Sequence, residues 1–160
     1  MAYTLDLLIG GTASADTEFN GSWLAVNACD NNFTDGTGWL SAQSDWPHWW
    51  KYDFGAGILH TIAKLTYTGS VDNGISIKDF KLQGSNNNSD WTDIYTGLTV
   101  KDTHNTQIFT FNNNIPYRYY RIYMTSSWRS TDTTLIAGAV EFEMMGIRGG
   151  GFSGGQPWIF

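Results

Sequence analysis

The chain alternates short runs of β-branched and aromatic residues with clusters of Gly, Asn, Asp and Ser, at intervals of about 8 to 15 residues. Helical periodicity is hard to find. The stretch YRYYRIYMT, residues 117–125, has the two-residue period of a half-buried strand, with one face formed by Tyr120, Ile122 and Met124 and the other by Tyr119, Arg121 and Tyr123. This pattern predicts an all-β fold, and we expect a β-sandwich.

Nine segments are predicted as strands, and they cover residues 5–9, 22–27, 49–54, 59–68, 78–85, 92–95, 106–111, 117–125 and 138–146. The connections between them, such as SVDNG, GSNNNSD and FNNNIP, are rich in Asn and Gly. These residues accept the positive φ angles of tight turns more readily than residues with bulkier side chains.

A chain of 160 residues can fill one core but is short for two ordinary domains. We therefore expect one sandwich over residues 1–148 and a separate C-terminal tail over residues 149–160. Residues 149–155 contain five glycines, which is typical of a flexible tether, yet the tail ends in Trp158, Ile159 and Phe160. The tail could be a frayed terminus whose aromatic residues fold back on the sandwich. It could also be a peptide that docks into a neighbouring subunit.

The charge balance limits the choice of partners. The chain has 15 acidic and 9 basic residues and a net charge of -6. It therefore lacks the basic surface of a nucleic-acid-binding protein, and anionic membranes would repel it, so neutral or polar ligands fit better. No apolar run approaches the roughly 20 residues of a transmembrane segment, and no signal peptide is visible. An extracellular or virion-surface location would then need a processed chain, a non-classical export route or release by lysis.

Neither the cysteine nor the histidines indicate a catalytic site. Cys29 is the single cysteine, which excludes an internal disulfide and a thiolate zinc site, and we expect it to be a buried apolar side chain. His48, His60 and His104 are scattered along the sequence, and no serine lies in a G-x-S-x-G motif. We therefore expect a non-catalytic protein.

The loop AVNACDNNFTDGTGW, residues 25–39, concentrates oxygen-bearing side chains without a helical or strand period. An EF-hand starting at Asp30 would need glycine at its sixth position and glutamate at its twelfth, where this chain has Asp35 and Ser41. The loop could instead hold a hard cation such as Ca²⁺ through an irregular set of oxygen ligands. The candidates are Asp30, Asp35, Thr37 and either Glu141 or Glu143. A solvated loop of Asx-turns would explain the same residues.

Four sequence motifs, HWWKYDFG, KDFKLQGSNNNSDWTDIYTG, YRYYRIYMTSSW and AVEFEMMG, follow one another in the order and spacing of the discoidin domain superfamily. The chain resembles this family, the galactose-binding-like jelly roll of coagulation-factor C domains, discoidins and many bacterial carbohydrate-binding modules, from about residue 8 to residue 146. The resemblance implies a jelly-roll β-sandwich. It also places Trp49 at the position of a tryptophan that belongs to the core of the family fold.

The resemblance also concerns the loop of residues 25–39, which we call the acidic loop. In many members of the family, an Asp-containing loop and a Glu near the last strand together bind a structural Ca²⁺. The loop ends in Thr or Ser, followed by any one residue and then by Trp. The matching positions are Asp30, Thr37 and Glu141, with the backbone carbonyl of Val140. In most members the Asp and the Thr are closer together, so this loop carries an insertion, and Asp35 could replace or supplement a usual ligand. The resemblance thus implies a structural calcium ion that holds the loop in place.

Relatives of this kind bind ligands in the loops at one end of the sandwich, and two platforms are expected there. Trp46 and His48 precede the predicted strand 49–54, where an indole can stack on a sugar ring and an imidazole can bond to hydroxyl groups. Trp128 and Arg129 follow the strand 117–125, and the guanidinium can donate to two hydroxyls or to a carboxylate. Galactose-preferring relatives often have an arginine in the loop that here reads TGSVDNG, which contains none. Asn73 of this loop is a candidate ligand residue, because its amide can hydrogen-bond a glycan, but it cannot replace a guanidinium. The resemblance therefore does not imply galactose specificity.

Together these features indicate a lectin-like adhesion module that binds glycan on a cell surface and is carried on a larger assembly. Single sugar sites are weak, so adhesion generally needs several copies on one scaffold. A phage or virus surface protein, such as a tail-fibre tip or a capsid decoration, would supply those copies, and the tail would contact neighbouring virion or scaffold subunits. The alternative is a purely structural virion or matrix protein that makes subunit contacts without binding sugar.

Overall fold

Antiparallel strands make up most of the computed structural model of the chain, which describes residues 2–71, 75–101, 103–129 and 135–148. Over these ranges there are ten strands: β1 (Thr12–Ala15), β2 (Trp39–Leu40), β3 (His48–Asp53), β4 (Ile62–Thr68), β5 (Asp79–Ser85), β6 (Thr92–Leu98), β7 (Gln107–Thr110), β8 (Tyr119–Met124), β9 (Gly138–Ala139) and β10 (Glu141–Gly146). A 3-10 helix, Ala25–Cys29, lies between β1 and β2. No helix in the described ranges has the length and apolar character needed to cross a membrane. The expected C-terminal tail, residues 149–160, lies outside the described residues.

Two sheets face each other across the core. The first has the strand order β1-β3-β8-β5-β6 and the second the order β10-β4-β7, while β2 and β9 form a short additional pair. Neighbouring strands in these sheets are antiparallel. The ring centroid of Phe142 on β10 lies 4.9 Å from that of Trp50 on β3 and 5.6 Å from that of Tyr67 on β4. The expected all-β sandwich is therefore confirmed.

Strands β3 and β8 are neighbours in the first sheet, and both alternate between core and surface. On β8, Tyr120, Ile122 and Met124 are buried, as the two-residue period predicts. On β3 the fully buried tryptophan is Trp50, while Trp49 points to the opposite face and is only partly buried. The expectation that Trp49 belongs to the core is wrong by one residue, because the alternation of β3 directs its even-numbered residues inward.

Seven of the nine predicted segments overlap strands of the structure, with shifted ends. The segment 22–27 does not, because Ala25, Ala28 and Cys29 pack into the core from a 3-10 helix. The segment 5–9 forms no regular strand, although Leu7 donates its backbone N–H to the Met144 carbonyl at 2.8 Å beside β10. The sequence pattern does not predict β1 or β2. The first is made of small residues, TASA, and the second has only two residues, so neither shows a strand period.

Candidate functional site

An open cleft of about 630 Å³ lies where four connections between elements meet. These are the segment between β1 and the 3-10 helix, the loop from that helix to β2, the β4–β5 connection and the β8–β9 connection. The lining includes Phe19, Trp23, Asp35, Val71, Arg129 and Ile136. The volume falls within the roughly 300–1,000 Å³ of small-molecule sites. We call this recess the loop cleft.

The loop cleft offers apolar surface together with polar groups. Phe19 is 50% exposed, Val71 is 51% exposed, and the partly buried Trp23 belongs to the same lining. Arg129 provides a planar set of donors, and Asp35 provides an acceptor carboxylate. Aromatic rings can stack on the C–H face of a sugar, while guanidinium and carboxylate groups bind its hydroxyls. The lining therefore suits a polar, ring-shaped ligand.

Of the predicted ligand residues, Arg129 is part of the described lining of the loop cleft and Trp128 is not. The indole Nε1 of Trp128 donates to Thr99 Oγ1 at 3.0 Å, and its backbone N–H donates to the Ser76 carbonyl at 3.0 Å. These bonds hold the start of the loop that carries Arg129. Trp128 therefore supports the cleft from outside its lining. Asn73 lies outside the described residues.

His48 is fully buried as the first residue of β3, whereas we expected it in the preceding loop. Its Nδ1 lies 2.7 Å from Asp16 Oδ2, and its Nε2 lies 3.0 Å from the Leu135 carbonyl oxygen. Burial alone lowers the pKa of this imidazole, but the bonds to Asp16 and Leu135 raise the pKa above its ordinary value. His48 therefore lies inside the fold and not in an exposed binding loop, which corrects the prediction of its place.

Trp46, the other half of that expected platform, is partly buried and packs against the core. Its ring meets the imidazole of His48 edge-on, with centroids 4.9 Å apart. Trp46 is not among the described residues that line the loop cleft. The two predicted platforms, Trp46 with His48 and Trp128 with Arg129, therefore do not meet in the loop cleft. Of these residues, only Arg129 is in its described lining.

Glu141, the first residue of β10, is buried beside the acidic loop. Its Oε1 accepts the backbone N–H of Asn31 at 3.2 Å, but its Oε2 is buried without a hydrogen-bond partner among the described residues. Burial raises the pKa of this carboxyl to about 8, and the negative charge of Asp30 adds to the rise. A buried carboxylate oxygen without a donor costs free energy, and a hard cation beside Oε2 would remove that cost. Oε2 of Glu141 therefore offers one oxygen ligand to a hard cation, and the other ligands would have to come from the neighbouring loop.

The other predicted calcium ligands belong to the same loop. Asp30 Oδ1 accepts a backbone N–H from two residues further along at 2.9 Å, and Thr37 Oγ1 donates to the Thr34 carbonyl at 2.6 Å. Asp35 lines the loop cleft, and its Oδ1 lies 3.9 Å from Nδ1 of His104. Within the described ranges, no group of three His, Cys, Asp or Glu side chains is arranged to hold a metal ion. An ion here would therefore also use backbone carbonyls.

Two observations favour Glu141 over Glu143 as the ligand of a calcium ion. Glu143 Oε2 accepts a hydrogen bond from Thr66 Oγ1 at 2.8 Å. The loop returns to the sheet at Gly38, which has a φ of +100°, and a Cβ there would lie 2.2 Å from the carbonyl oxygen of Ala139. Only glycine combines this φ with such a close approach. The loop is thereby held against the residues that precede Glu141.

Cys29 is buried at the end of the 3-10 helix, as expected. Burial raises the pKa of its thiol to about 12, and the negative charge of Glu141 adds to this effect. The side chain therefore stays protonated and acts as part of the core.

Phe19, Trp23 and Val71 are apolar residues of the loop-cleft lining that were not predicted from the sequence. Phe19 and Trp23 stand in the sequence FNGSW, on either side of the turn-forming residues Asn20 and Gly21. Aromatic residues within a turn have no strand or helix face that would bury them. That position is the signal that could have identified them.

The family model of the F5/8 type C domain matches residues 11–139. Among solved structures, the family 32 carbohydrate-binding module of C. perfringens NanJ in complex with galactose is similar, with 19% identity, a TM-score of 0.73, and coverage of 91% of this chain and 100% of that one. The Clostridium perfringens module CpGH89CBM32-5, in complex with GalNAc-beta-1,3-galactose, has 19% identity, a TM-score of 0.72, and coverage of 88% and 99%. Chitosan-binding module 1 from a chitosanase/glucanase of Paenibacillus sp. IK-5 has 23% identity, a TM-score of 0.66, and coverage of 89% and 100%.

No curated protein matches the chain. The solved structures have the same overall fold at low sequence identity, and they confirm the jelly-roll fold that the motifs imply.

Proposed function

The chain belongs to the F5/8 type C domain family, and we propose that it is a non-catalytic carbohydrate-binding module whose ligand site is the loop cleft. The observation that carries the proposal is the lining of that cleft, where Phe19, Trp23, Asp35 and Arg129 surround an open volume of about 630 Å³. Similar modules were solved with galactose and with GalNAc-beta-1,3-galactose, and another is described as chitosan-binding. These ligands support a glycan as the ligand class.

The lining also supports a particular binding mode. A sugar ring would lie with its C–H face on Phe19 or Trp23, and Arg129 would donate to neighbouring hydroxyls. The carboxylate of Asp35 would accept a hydrogen bond from a further hydroxyl. Because the cleft is open, much of the ligand stays solvated and a single site binds weakly, so firm adhesion needs several sites on one scaffold.

Calcium would stabilise one wall of this cleft. Asp35 and Gly36 line the cleft and belong to the same loop as Asp30. An ion held by Glu141, Asp30 and backbone carbonyls would tie that loop to β10, and it would take no part in any reaction. The unpartnered Oε2 of Glu141 supports this part of the proposal.

We further propose an extracellular or virion-surface setting, in which several copies of the module act in adhesion on a larger assembly such as a phage tail fibre. The weakness expected of a single open site supports a multi-copy arrangement. The exposure of Phe19 and Val71, 50% and 51%, also fits a second candidate, a structural protein that buries this surface against a neighbouring subunit and binds no sugar.

A glycan array, probed with multivalent protein in the presence of calcium, tests the sugar-binding proposal. The wild-type protein should bind a defined set of glycans, and Trp23→Ala and Arg129→Gln should each reduce the affinity about tenfold or more, because each removes a direct ligand contact. Trp46→Ala is the matched control and should bind like wild type, since that tryptophan is not part of the described lining. A folded wild-type protein that binds no glycan on a broad array would refute the proposal and favour the structural alternative.

A further inference from the structure

The outer face of the five-stranded sheet carries a second recess, which we call the sheet-face pocket. It has a volume of about 240 Å³ and is lined by Trp49, Lys51, Asn88, Trp91 and Arg121. These residues come from β3, from β8 and from the connection between β5 and β6. None of them lines the loop cleft. The two recesses are therefore separate within the described part of the molecule.

Two positive charges face each other in this pocket. Lys51 and Arg121 are paired in register on the adjacent strands β3 and β8. Like charges directly opposite each other on neighbouring strands destabilise a sheet. Burial lowers the pKa of Lys51, Asp53 partly offsets this, and the charge of Arg121 lowers the pKa further. The pair is thus a concentration of positive charge on a protein whose net charge is -6.

The carboxylates near the pocket are engaged with other partners. Asp53 accepts two hydrogen bonds from Arg118, with distances of 2.7 Å from Nε and 2.8 Å from Nη2. Asp93 accepts a hydrogen bond from Lys81 Nζ at 2.6 Å and another from the side-chain amide of Gln83. Over the described residues, no carboxylate forms an ion pair with either cation of the pocket. Among the described residues, Asp53 and Asp93 act on these two charges only at longer range and not as direct partners.

The guanidinium of Arg121 is held in one orientation. Its Nε donates to Gln83 Oε1 at 2.6 Å. Its central carbon lies 4.2 Å from the ring centroid of Trp91 and 5.0 Å from that of Tyr123. The terminal Nη groups have no hydrogen-bond partner among the described residues. Arg121 therefore presents a pre-organised pair of donors.

Lys51 adds a second donor beside Arg121. Its Nζ donates to Asn88 Oδ1 at 2.9 Å and lies 5.1 Å from the ring centroid of Trp49. An ammonium group has three N–H donors, so two of them are left for a ligand after the bond to Asn88. The pocket thus combines unused donors on two cations with two indole rings.

We propose that the sheet-face pocket binds the carboxylate of an acidic sugar residue. The carboxylate would accept two parallel hydrogen bonds from the Nη groups of Arg121 and another from Lys51. Trp49 and Trp91 form apolar walls, against which the C–H groups of the sugar ring pack. Binding of the anion converts the repulsion between the two cations into attraction to a shared ligand.

The size and the surroundings of the pocket narrow the choice of ligand. Its volume of about 240 Å³ is below the roughly 300–1,000 Å³ of sites for drug-sized ligands, so it suits one sugar ring and not an extended chain. The net charge of -6 works against long polyanions such as nucleic acids. A single acidic residue within an otherwise neutral glycan satisfies both conditions. This site goes beyond the proposed function of the loop cleft and does not depend on it.

Two glycosides that differ at one group provide the test. Methyl β-D-glucuronide carries a carboxylate where methyl β-D-glucoside carries a hydroxymethyl group. In an NMR titration, the glucuronide should shift the indole N–H signals of Trp49 and Trp91 in a saturable manner. The glucoside should bind about tenfold more weakly or worse, because it lacks the charge that Arg121 and Lys51 bind.

Lys51→Met removes the charge and keeps an aliphatic side chain. It should weaken glucuronide binding about tenfold, and it should not lower the melting temperature, because it also removes the repulsion from Arg121. Lys64→Met is the matched control, since Lys64 lies on β4 of the other sheet and is not part of the described pocket lining. Its glucuronide affinity should equal that of the wild-type protein.

The proposal is overturned if the glucoside binds as tightly as the glucuronide, or if folded Lys51→Met binds the glucuronide with unchanged affinity. Acetate that shifts the same signals with equal affinity would show a general anion site, and tighter binding of a triglutamate peptide would show a surface for acidic peptides. Either result also overturns it. Trp23→Ala in the loop cleft should leave the glucuronide titration unchanged, so failure at one site can be told apart from failure at the other.

Discussion

The fully buried imidazole of His48 pairs with the partly exposed carboxylate of Asp16, with 2.7 Å between Nδ1 and Oδ2. The other oxygen of Asp16 accepts the backbone N–H of Trp49 at 3.0 Å. Nε2 of His48 lies 3.0 Å from the carbonyl oxygen of Leu135, one residue before Ile136 of the loop cleft. Because both ring nitrogens face oxygen acceptors, the protonated imidazolium satisfies both contacts. The pair thus joins β1, β3 and the segment that leads to β9.

We predict that this pair makes stability depend on pH. The pKa of His48 is raised in the folded state. Its contribution to the free energy of unfolding is therefore complete below the unfolded-state pKa of about 6.5, and it is lost as the pH rises through the folded-state pKa. Urea unfolding between about pH 5 and pH 8 should show a steeper fall with pH in wild type than in His48→Gln. Equal pH profiles for the two proteins would contradict this assignment.

Removal of calcium should lower the melting temperature. If Glu141 and Asp30 hold the ion, it binds the folded state alone and stabilises that state by about 2.7 kcal/mol at a free concentration of 100 times Kd. A chelator should therefore lower the Tm of the wild-type protein, and Glu141→Gln should abolish this response. Glu143→Gln should retain the response, because Glu143 bonds to Thr66. A wild-type melting curve that excess chelator leaves unchanged would remove the calcium proposal.

The neighbouring tryptophans of β3 should differ in their contribution to stability. Trp50 is fully buried, and its Nε1 donates to the Ala25 carbonyl at 2.8 Å. Trp50→Ala should lower the free energy of unfolding by about 3–5 kcal/mol. Trp49 is partly buried on the outer face, so Trp49→Ala should cost only about 1 kcal/mol. Denaturant unfolding of both variants measures the difference, and equal losses would show that the inward and outward faces of β3 are wrongly assigned.

Gly38→Ala should destabilise the protein more than Gly36→Ala. Both glycines have positive φ, +100° and +84°, so a side chain at either position adds backbone strain of about 1–3 kcal/mol. A Cβ at Gly38 would also lie 2.2 Å from the Ala139 carbonyl oxygen, whereas a Cβ at Gly36 meets nothing within 4 Å. Thermal melts should therefore show the larger fall in Tm for Gly38→Ala. Equal falls would argue against the close approach of loop and strand.

The strands could be predicted from the sequence where one face of a strand is buried and the other is not. On β8 the alternation of Tyr120, Arg121 and Ile122 shows this directly. The segment 22–27 has a strand-like composition, but its last three residues belong to the 3-10 helix Ala25–Cys29. The small residues Ala25, Ala28 and Cys29 of that helix pack into the core. Local composition does not include that tertiary contact.

The candidate site was harder to predict because the loop cleft brings together connections that are far apart in sequence. Arg129 could be identified, since it follows a strand that the period shows clearly. Phe19 and Val71 could not be placed beside it without the packing of the sheets. His48 illustrates the opposite error. A polar residue next to tryptophans suggested a binding loop, whereas His48 is fully buried and bonds to the partly exposed Asp16.

The register of β3 with β8 pairs His48 with Met124 and Asp53 with Tyr119, so the centre of the first sheet joins distant parts of the chain. Sandwiches dominated by such long-range contacts fold in milliseconds to seconds, because the chain loses loop-closure entropy before the stabilising contacts form. During synthesis, β1 and β3 can pair early, but the other edge of β3 lacks its partner until β8 has left the ribosome. An unpaired strand edge is a template for association between chains. We therefore expect the yield of native protein to depend on the interval before β8 emerges more than on the stability of the finished sandwich.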